Sequence, residues 1–449
     1  MPDNLRPSRR DFLKSSAGLA ATAAAMSPVA SFAADDLPKK TATQGAERIN
    51  TKIAHDREVA LGLLKPTKKD LEHGLELHKE SIVFDGYGFS PRSAIDGDRY
   101  AKKVEAGASE AELDDLREDM SMTRCVTDPI ERAEFLQAWK ASGVTCIFQN
   151  AGEEGQAPLT LMKRLARFTF VTDMLRDSVS KAVTPDDIVA AKKAGRHCLY
   201  LTGNGVPLTQ QWVSVEEELR YLRLFFQLGI RMMHLTYQRR NMIGSGSGEK
   251  NDGGLSDFGE HVVKQMNKTG VIVDVAHSGW TTALQAAQLS EKPMVASHTT
   301  CAELYPHFRA KPDNVIRAIA DTGGYIGICC ISRFLRGKGD INRMLDHVDH
   351  VVKKFGADHV AFGTDVAYTS RNAAAESRKV PRRRRKTRLD WRSLWPNDPY
   401  VTTSEARNSI AWTNWPLFTV GMVQRGHSDE VIKKILGGNV MRVAEAALK

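Results

Sequence analysis

The chain has 449 residues, room for one large domain or two ordinary ones. Its 42% hydrophobic and 26% charged residues are those of an ordinary globular protein, and no stretch after the N-terminal segment has the length of a bilayer span. The net charge of +9 gathers in one run between Arg378 and Arg388. That run has no aromatic or Gly-rich interleaving and no nucleic-acid motif, so it reads as a solvated loop, not a nucleic-acid surface.

The first element is Ser8-Arg9-Arg10-Asp11-Phe12-Leu13-Lys14, followed by a mildly apolar, Ala-rich stretch from Ser16 to Ala30 and small residues to Ala34. Paired arginines before such a stretch predict a twin-arginine export signal over 1–34, cleaved near Ala33 or Ala34. The translocase of that route is then a partner during export, and the periplasm is the destination. The route carries folded proteins, so the six cysteines need not pair. Cys146, Cys198, Cys329 and Cys330 lie in apolar runs and read as buried thiols. A polar N-terminal extension over 35–74 follows the signal.

Eight apolar runs come next, at 81–85, 143–149, 197–202, 230–236, 270–276, 293–297, 323–330 and 359–364. Near-continuous runs, not alternating ones, suit parallel strands covered on both faces. Helix-period segments separate most of them. Val215–Leu228 has one apolar and one charged face. Asp257–Lys268 is capped by Ser256 or Asp257 and ends before Gly270, and Val315–Ala320 starts after Pro312-Asp313 and closes at Gly323. Eight such alternations predict an α/β fold, a (β/α)8 TIM barrel over 75–449. An open doubly wound sheet is the other candidate, but no Gly-x-Gly-x-x-Gly follows the first strand. Insertions at 95–135 and 366–410, and a Gly/Ser loop at Gly244–Gly248 expected to be mobile, all follow the carboxyl ends of strands, where a barrel builds its active face.

His277 and His298 end two of these strands and Asp365 ends a third. Imidazoles and a carboxylate in one upper cavity can hold a metal ion, and a carboxylate there can also move a proton. His234 reads as a core or rim residue. Trp412 and Trp415 read as packing anchors. Arg239 and Arg240 read either as substrate-attracting cations or as a solvated loop.

The stretch Phe258 to Ser278 resembles the centre of the renal or membrane dipeptidases, peptidase family M19. So do Ser297-His298-Thr299-Thr300, His307 to Asp313, Gly324 to Ile328, Asp358 to Asp365 and Ile435 to Val443. The resemblance runs from about residue 75 to the end. It implies a two-zinc barrel enzyme that hydrolyses dipeptides, with His277 and His298 on one zinc, Asp365 as the proton shuttle and Arg309 on the substrate carboxylate. Tyr237 falls where the family places a substrate-polarising histidine. Homodimers occur in the family, and the sequence fixes no interface.

The departures all fall on the other zinc or its bridge. The family's first strand ends Asp-Gly-His-x-Asp; here it is Asp85-Gly86-Tyr87-Gly88-Phe89. Tyr87 and Phe89 replace two ligands, and Asn204 stands in for the bridging glutamate. A neutral amide cannot offset two dications. Two readings remain open. One is a mononuclear hydrolase holding a single zinc or iron on His277 and His298, with or without Asp365. The other is a non-hydrolytic periplasmic binding or maturation protein, with no catalytic metal, for a peptide-like ligand.

Overall fold

The computed structural model describes residues 50–152, 157–382 and 396–449. The expected export signal, Arg383 to Arg388 of the basic run, Trp391 and Trp395 lie outside those residues. The nine strands are β1 (Phe84–Gly88), β2 (Cys146–Asn150), β3 (Val179–Ala182), β4 (His197–Gly203), β5 (Ile230–His234), β6 (Ile272–Asp274), β7 (Val295–Thr299), β8 (Tyr325–Ile328) and β9 (Val360–Phe362). Every pairing is parallel, and the order runs β1-β2-β4-β5-β6-β7-β8-β9. These eight strands, with helices between them, form the expected barrel. β3 is an addition that the apolar runs do not announce. It pairs with the first half of β4, and β5 pairs with the second half.

Between β1 and β9 the barrel is stitched by side chains. Asp85 accepts from Thr364 N at 2.8 Å, from Thr364 Oγ1 at 2.6 Å and from Trp412 Nε1 at 3.1 Å. Asp365 N donates to Tyr87 O at 3.0 Å.

Alternation along the strands divides the core. Phe84, Cys146, Phe148, Cys198, Tyr200, Met232, Ile272, Val295, Tyr325 and Ala361 form the interior cluster. Their neighbours Ile147, Leu199, Val273, Ala296, Ile326 and Phe362 pack outward under the helices. Phe84 stacks on Phe148 at 5.1 Å and Phe148 meets Tyr200 at 5.0 Å, filling the interior below the mouth.

The register breaks in β1 between Asp85 and Gly88, and in β7 between Ala296 and Thr299. Such irregularities re-aim side chains; they lie beside Tyr87 and His298, which both reach the mouth. Ser256 caps the helix Asp257–Thr269 by accepting from Gly259 N, and Gly270 ends it at φ 87°. Helices Gly97–Glu105, Glu110–Thr127 and Pro129–Ser142 fill the first insertion. The loop expected to be mobile is packed: residues 243–248 are buried, Ser247 N donates to His277 O at 2.7 Å and Ser245 N to Gly254 O at 3.2 Å. Arg239 and Arg240 hold this loop through Gly248 O and Asn251 O. All six cysteines are free and buried. Trp412 and Trp415 are buried anchors. Among the described residues no helix is long and apolar enough to cross a membrane.

Candidate active site

Three strand ends supply the centre of the mouth. His234 closes β5, Asp274 closes β6, and His298 lies in β7; all three are 0% exposed. His277 follows β6 by three residues. The Nε2 atoms of His277 and His298 face each other at 2.9 Å. The two imidazoles expected to meet do so.

A chain of bonds fixes how His298 is presented. Asp274 Oδ1 accepts from Ala276 N at 2.9 Å and Ser297 N at 3.0 Å, and its Oδ2 accepts from Ser297 Oγ. Ser297 Oγ donates its hydrogen to the carboxylate, so it accepts from His298 Nδ1, 2.9 Å away. His298 Nε2 is left as the acceptor in its 2.9 Å contact with His277 Nε2. This is the support that holds a metal-ligating imidazole in its working tautomer. Asp274 also faces His234 Nε2 at 2.7 Å. Burial alone would raise the Asp274 carboxyl, but His234 and Ser297 outweigh it and hold the pKa below the ordinary value.

The replaced ligands make a second network. Asn204 Oδ1 accepts from Tyr87 Oη at 3.2 Å and lies 2.6 Å from His234 Nδ1. Tyr87 stacks on His298 with ring centroids 3.9 Å apart, and Tyr237 stacks on His277 at 4.0 Å. Phe89 stands edge-on to Tyr87 at 6.0 Å. Burial, and then Arg309, push both His277 and His298 well below the ordinary imidazole range, which favours the neutral form of each.

Arg309 is 1% exposed and donates to Ala276 O and, at 3.1 Å, to His298 O. It lines none of the three cavities described around the mouth. Lys311, also buried, donates to Ser278 O at 2.6 Å. Asp365 has φ 57°, a left-handed conformation uncommon outside glycine, though Asp adopts it more readily than most side chains. Burial pushes its carboxyl up to about 6, against the opposing pull of Arg309, His234 and Arg92. Its side chain points into a cavity of about 410 Å³ that Phe89, Arg92, Tyr368 and Trp412 also line.

The donor set can be weighed against the metal content implied by the resemblance. Tyr87, Phe89 and Asn204 offer a second ion one hydrogen-bonded phenol, one hydrocarbon ring and one amide already in use, and none of the three fits as an ordinary ligand. His277 Nε2 and His298 Nε2 face each other and would hold one ion between them, and His277 Nδ1 is buried without a partner. His234, Asp274 and His298 form another group, with one ligand-type atom from each within 4.8 Å of the others. Asp274 and Ser297 are missed by reading the sequence, and His234 is assigned there to the core or rim. The available signal is the lone acid inside the run Val271-Ile272-Val273-Asp274-Val275.

A parallel eight-stranded barrel with imidazoles and carboxylates gathered at its carboxyl-end mouth defines a TIM barrel whose polar cluster lies where such barrels build their active sites. The sequence profile of the membrane dipeptidase family, peptidase family M19, matches residues 75–376, and the chain belongs to that family. The profile of the twin-arginine translocation signal matches residues 6–26, marking an exported, periplasmic protein. Dipeptidase verJ of Clonostachys rogersoniana is 27% identical over 228 residues, covering 50% of each chain. Dipeptidase tcpJ of Claviceps purpurea is 27% identical over 278 residues, covering 61% of this chain and 56% of that one. The chain thus spans about half the length of these curated relatives. Among solved structures, an amidohydrolase from Pseudomonas aeruginosa superposes with TM-score 0.60 at 24% identity, covering 83% of this chain and 98% of its own. The probable dipeptidase PvdM from the same organism gives 0.59 at 19%, covering 85% and 99%. At these identities the likeness speaks for the fold.

Proposed function

We propose that this protein is an exported metal-assisted hydrolase of a dipeptide or related small amide, working with a single metal ion. The observation that carries the reading is the 2.9 Å pairing of His277 Nε2 with His298 Nε2, the latter ring oriented by Asp274 and Ser297, beside the Asp365 carboxyl held near 6. His277 and His298 would hold the ion. A zinc ion there would acidify a water molecule and polarise the scissile carbonyl, and iron suits a similar ligand set. Asp365 takes the proton of the attacking water and returns it to the leaving amine, a task for which a carboxyl near 6 is well placed. Arg309 fixes the two segments carrying the histidines through Ala276 O and His298 O, and burial, with its charge second, favours the neutral imidazoles. Tyr237, stacked on His277, faces the substrate where the family has a histidine. Dipeptidase relatives over half the chain support the substrate class.

A second reading rests on the two tyrosines. With Tyr87 and Tyr237 lying flat on the imidazoles, the pair is nearly sealed: His277 is 5% exposed and His298 0%. That favours a non-hydrolytic binding or maturation role for a peptide-like ligand. Metal analysis of the purified protein separates the two. One equivalent of zinc or iron, absent from the His277→Ala/His298→Ala variant, together with dipeptide hydrolysis lost in Asp365→Asn, is expected. A metal-free protein that still binds dipeptides establishes the second reading. Two equivalents overturn the single-ion site.

A further inference from the structure

Two neutral imidazoles give a buried dication no negative charge to lie against, and Arg309 and Lys311, both buried, add positive charge around them. We infer that His234 and Asp274 are further ligands of the ion that His277 and His298 would hold, so that the site is one shell of imidazoles with a single carboxylate; this rests on the single-ion reading above. Three observations carry it. First, one ligand-type atom from each of His234, Asp274 and His298 lies within 4.8 Å of the others, and among the described residues Asp274 is the one carboxylate grouped with these histidines. Asp365 is outside that group and stays free to move the proton. Second, the rings are spaced for one ion. Zinc holds imidazole nitrogens at about 2.0–2.1 Å, which sets the centroids of rings that share it roughly 5 Å apart. The centroids lie 5.2 Å apart for His234 and His277, 5.2 Å for His234 and His298, and 4.9 Å for His277 and His298. Third, unused lone pairs converge. Asn204 Oδ1 can only accept, so His234 Nδ1, 2.6 Å away, donates to it, and the neutral ring keeps its lone pair on Nε2. That Nε2 is buried without a hydrogen-bond partner and stands 2.7 Å from Asp274 Oδ2. Asp274 Oδ1 is filled by Ala276 N and Ser297 N, while Oδ2 accepts from Ser297 Oγ and has a lone pair to spare. Two lone pairs held so close, away from water, call for a cation.

Asn204 acquires a purpose in this arrangement. Its amide cannot bridge two dications, but its oxygen fixes the tautomer of His234 as Ser297 fixes that of His298. Tyr87 Oη donates to the same oxygen at 3.2 Å while its ring lies on His298, so it steadies both. The side chains that replace the ligands of one ion thus support a further ligand, from β5, for the other. A shell of this kind stays open to one more ligand on iron, or on a zinc that expands to five-coordinate.

The test is zinc reconstitution of the purified chain after treatment with a chelator. Competition with a chromophoric chelator reads the zinc affinity, and X-ray absorption at the zinc edge counts the imidazoles bound. Wild type should take one equivalent, with the imidazoles of His234, His277 and His298 all in the shell. His234→Gln should show one imidazole fewer and at least about tenfold weaker zinc, no less than the loss of a supporting partner costs. An unchanged circular dichroism spectrum shows that the variant is folded, and if it does not fold the imidazole count of wild type decides alone. A wild-type shell with only two imidazoles, or a His234→Gln variant with the wild-type count and affinity, overturns this ligand set while the single-ion reading stands. If wild type takes up no zinc, both are overturned.

Discussion

Asp274 is the residue on which the mouth depends. It sits fully buried at the end of β6, accepts from two main-chain N–H groups and from Ser297, and faces His234. Removing one partner of a buried pair leaves the other uncompensated, which costs about 3–5 kcal/mol. Asp274→Ala should therefore lose about that much in urea unfolding, and the double variant with His234→Ala should lose less than the sum of the singles. Strict additivity would mean that the two side chains do not act as a pair. His277, His298 and Asp365 are legible in the sequence because each follows an apolar run, and a strand end in a parallel barrel has only one place to point. Asp274 is not, because a single acid in a Val/Ile strand looks like a solvated interruption until the register fixes its face. The commitment of Arg309 to Ala276 O and His298 O depends on contacts with other segments, which its own stretch does not encode.

Strands β7, β8 and β9 place His298 through close backbone approach. A Cβ on Gly327 would lie 1.8 Å from Ser297 O, and one on Gly363 would lie at the same 1.8 Å. The two glycines thus let the main chain pass on either side of the carbonyl next to His298, the usual reason for glycine within a strand. Gly327→Ala must push β8 from β7. We expect a loss of about 1–3 kcal/mol or more by chemical denaturation, together with weaker metal retention, since the neighbouring β7 it presses on carries His298, the proposed ligand. A variant of wild-type stability would show that the sheet yields there. The barrel itself is readable because each of its eight strands overlaps one apolar run, and the caps at Ser256 and Gly270 have local causes. β3 is not readable. Its Val179-Ser180-Lys181-Ala182 has two apolar residues, and only pairing with β4 makes it a strand. The Gly/Ser loop misleads for the opposite reason: its composition signals freedom, but its main chain is spent on Gln238, Gly254 and His277.

At the scale of the whole molecule, the seam between β1 and β9 and the mouth of the barrel are braced by titratable groups that water does not reach. Asp85 joins β1 to β9, and burial pushes its carboxyl up to about 7 despite bonds from Thr364, Trp412 and Tyr87. Lys311 braces the segment after His277, and burial lowers its ammonium to about 7. The two act in opposite directions on either side of neutrality. Asp85 has a folded pKa above its ordinary 3.8, so its contribution to stability is complete below that value and is lost as pH rises to about 7. Lys311 has a folded pKa below its ordinary 10.5, so its contribution is complete above that value and is lost as pH falls to about 7. Both penalties are therefore fully present near neutrality. Urea unfolding across pH should find that wild type loses stability relative to Asp85→Asn as pH climbs from about 4 to 7. It should gain stability relative to Lys311→Met as pH climbs from about 7 to 10. Parallel curves for wild type and variant in either window would mean that the group carries the same protonation folded and unfolded. The closure at that point would then be held by an ordinary ion in contact with water and not by a buried neutral group.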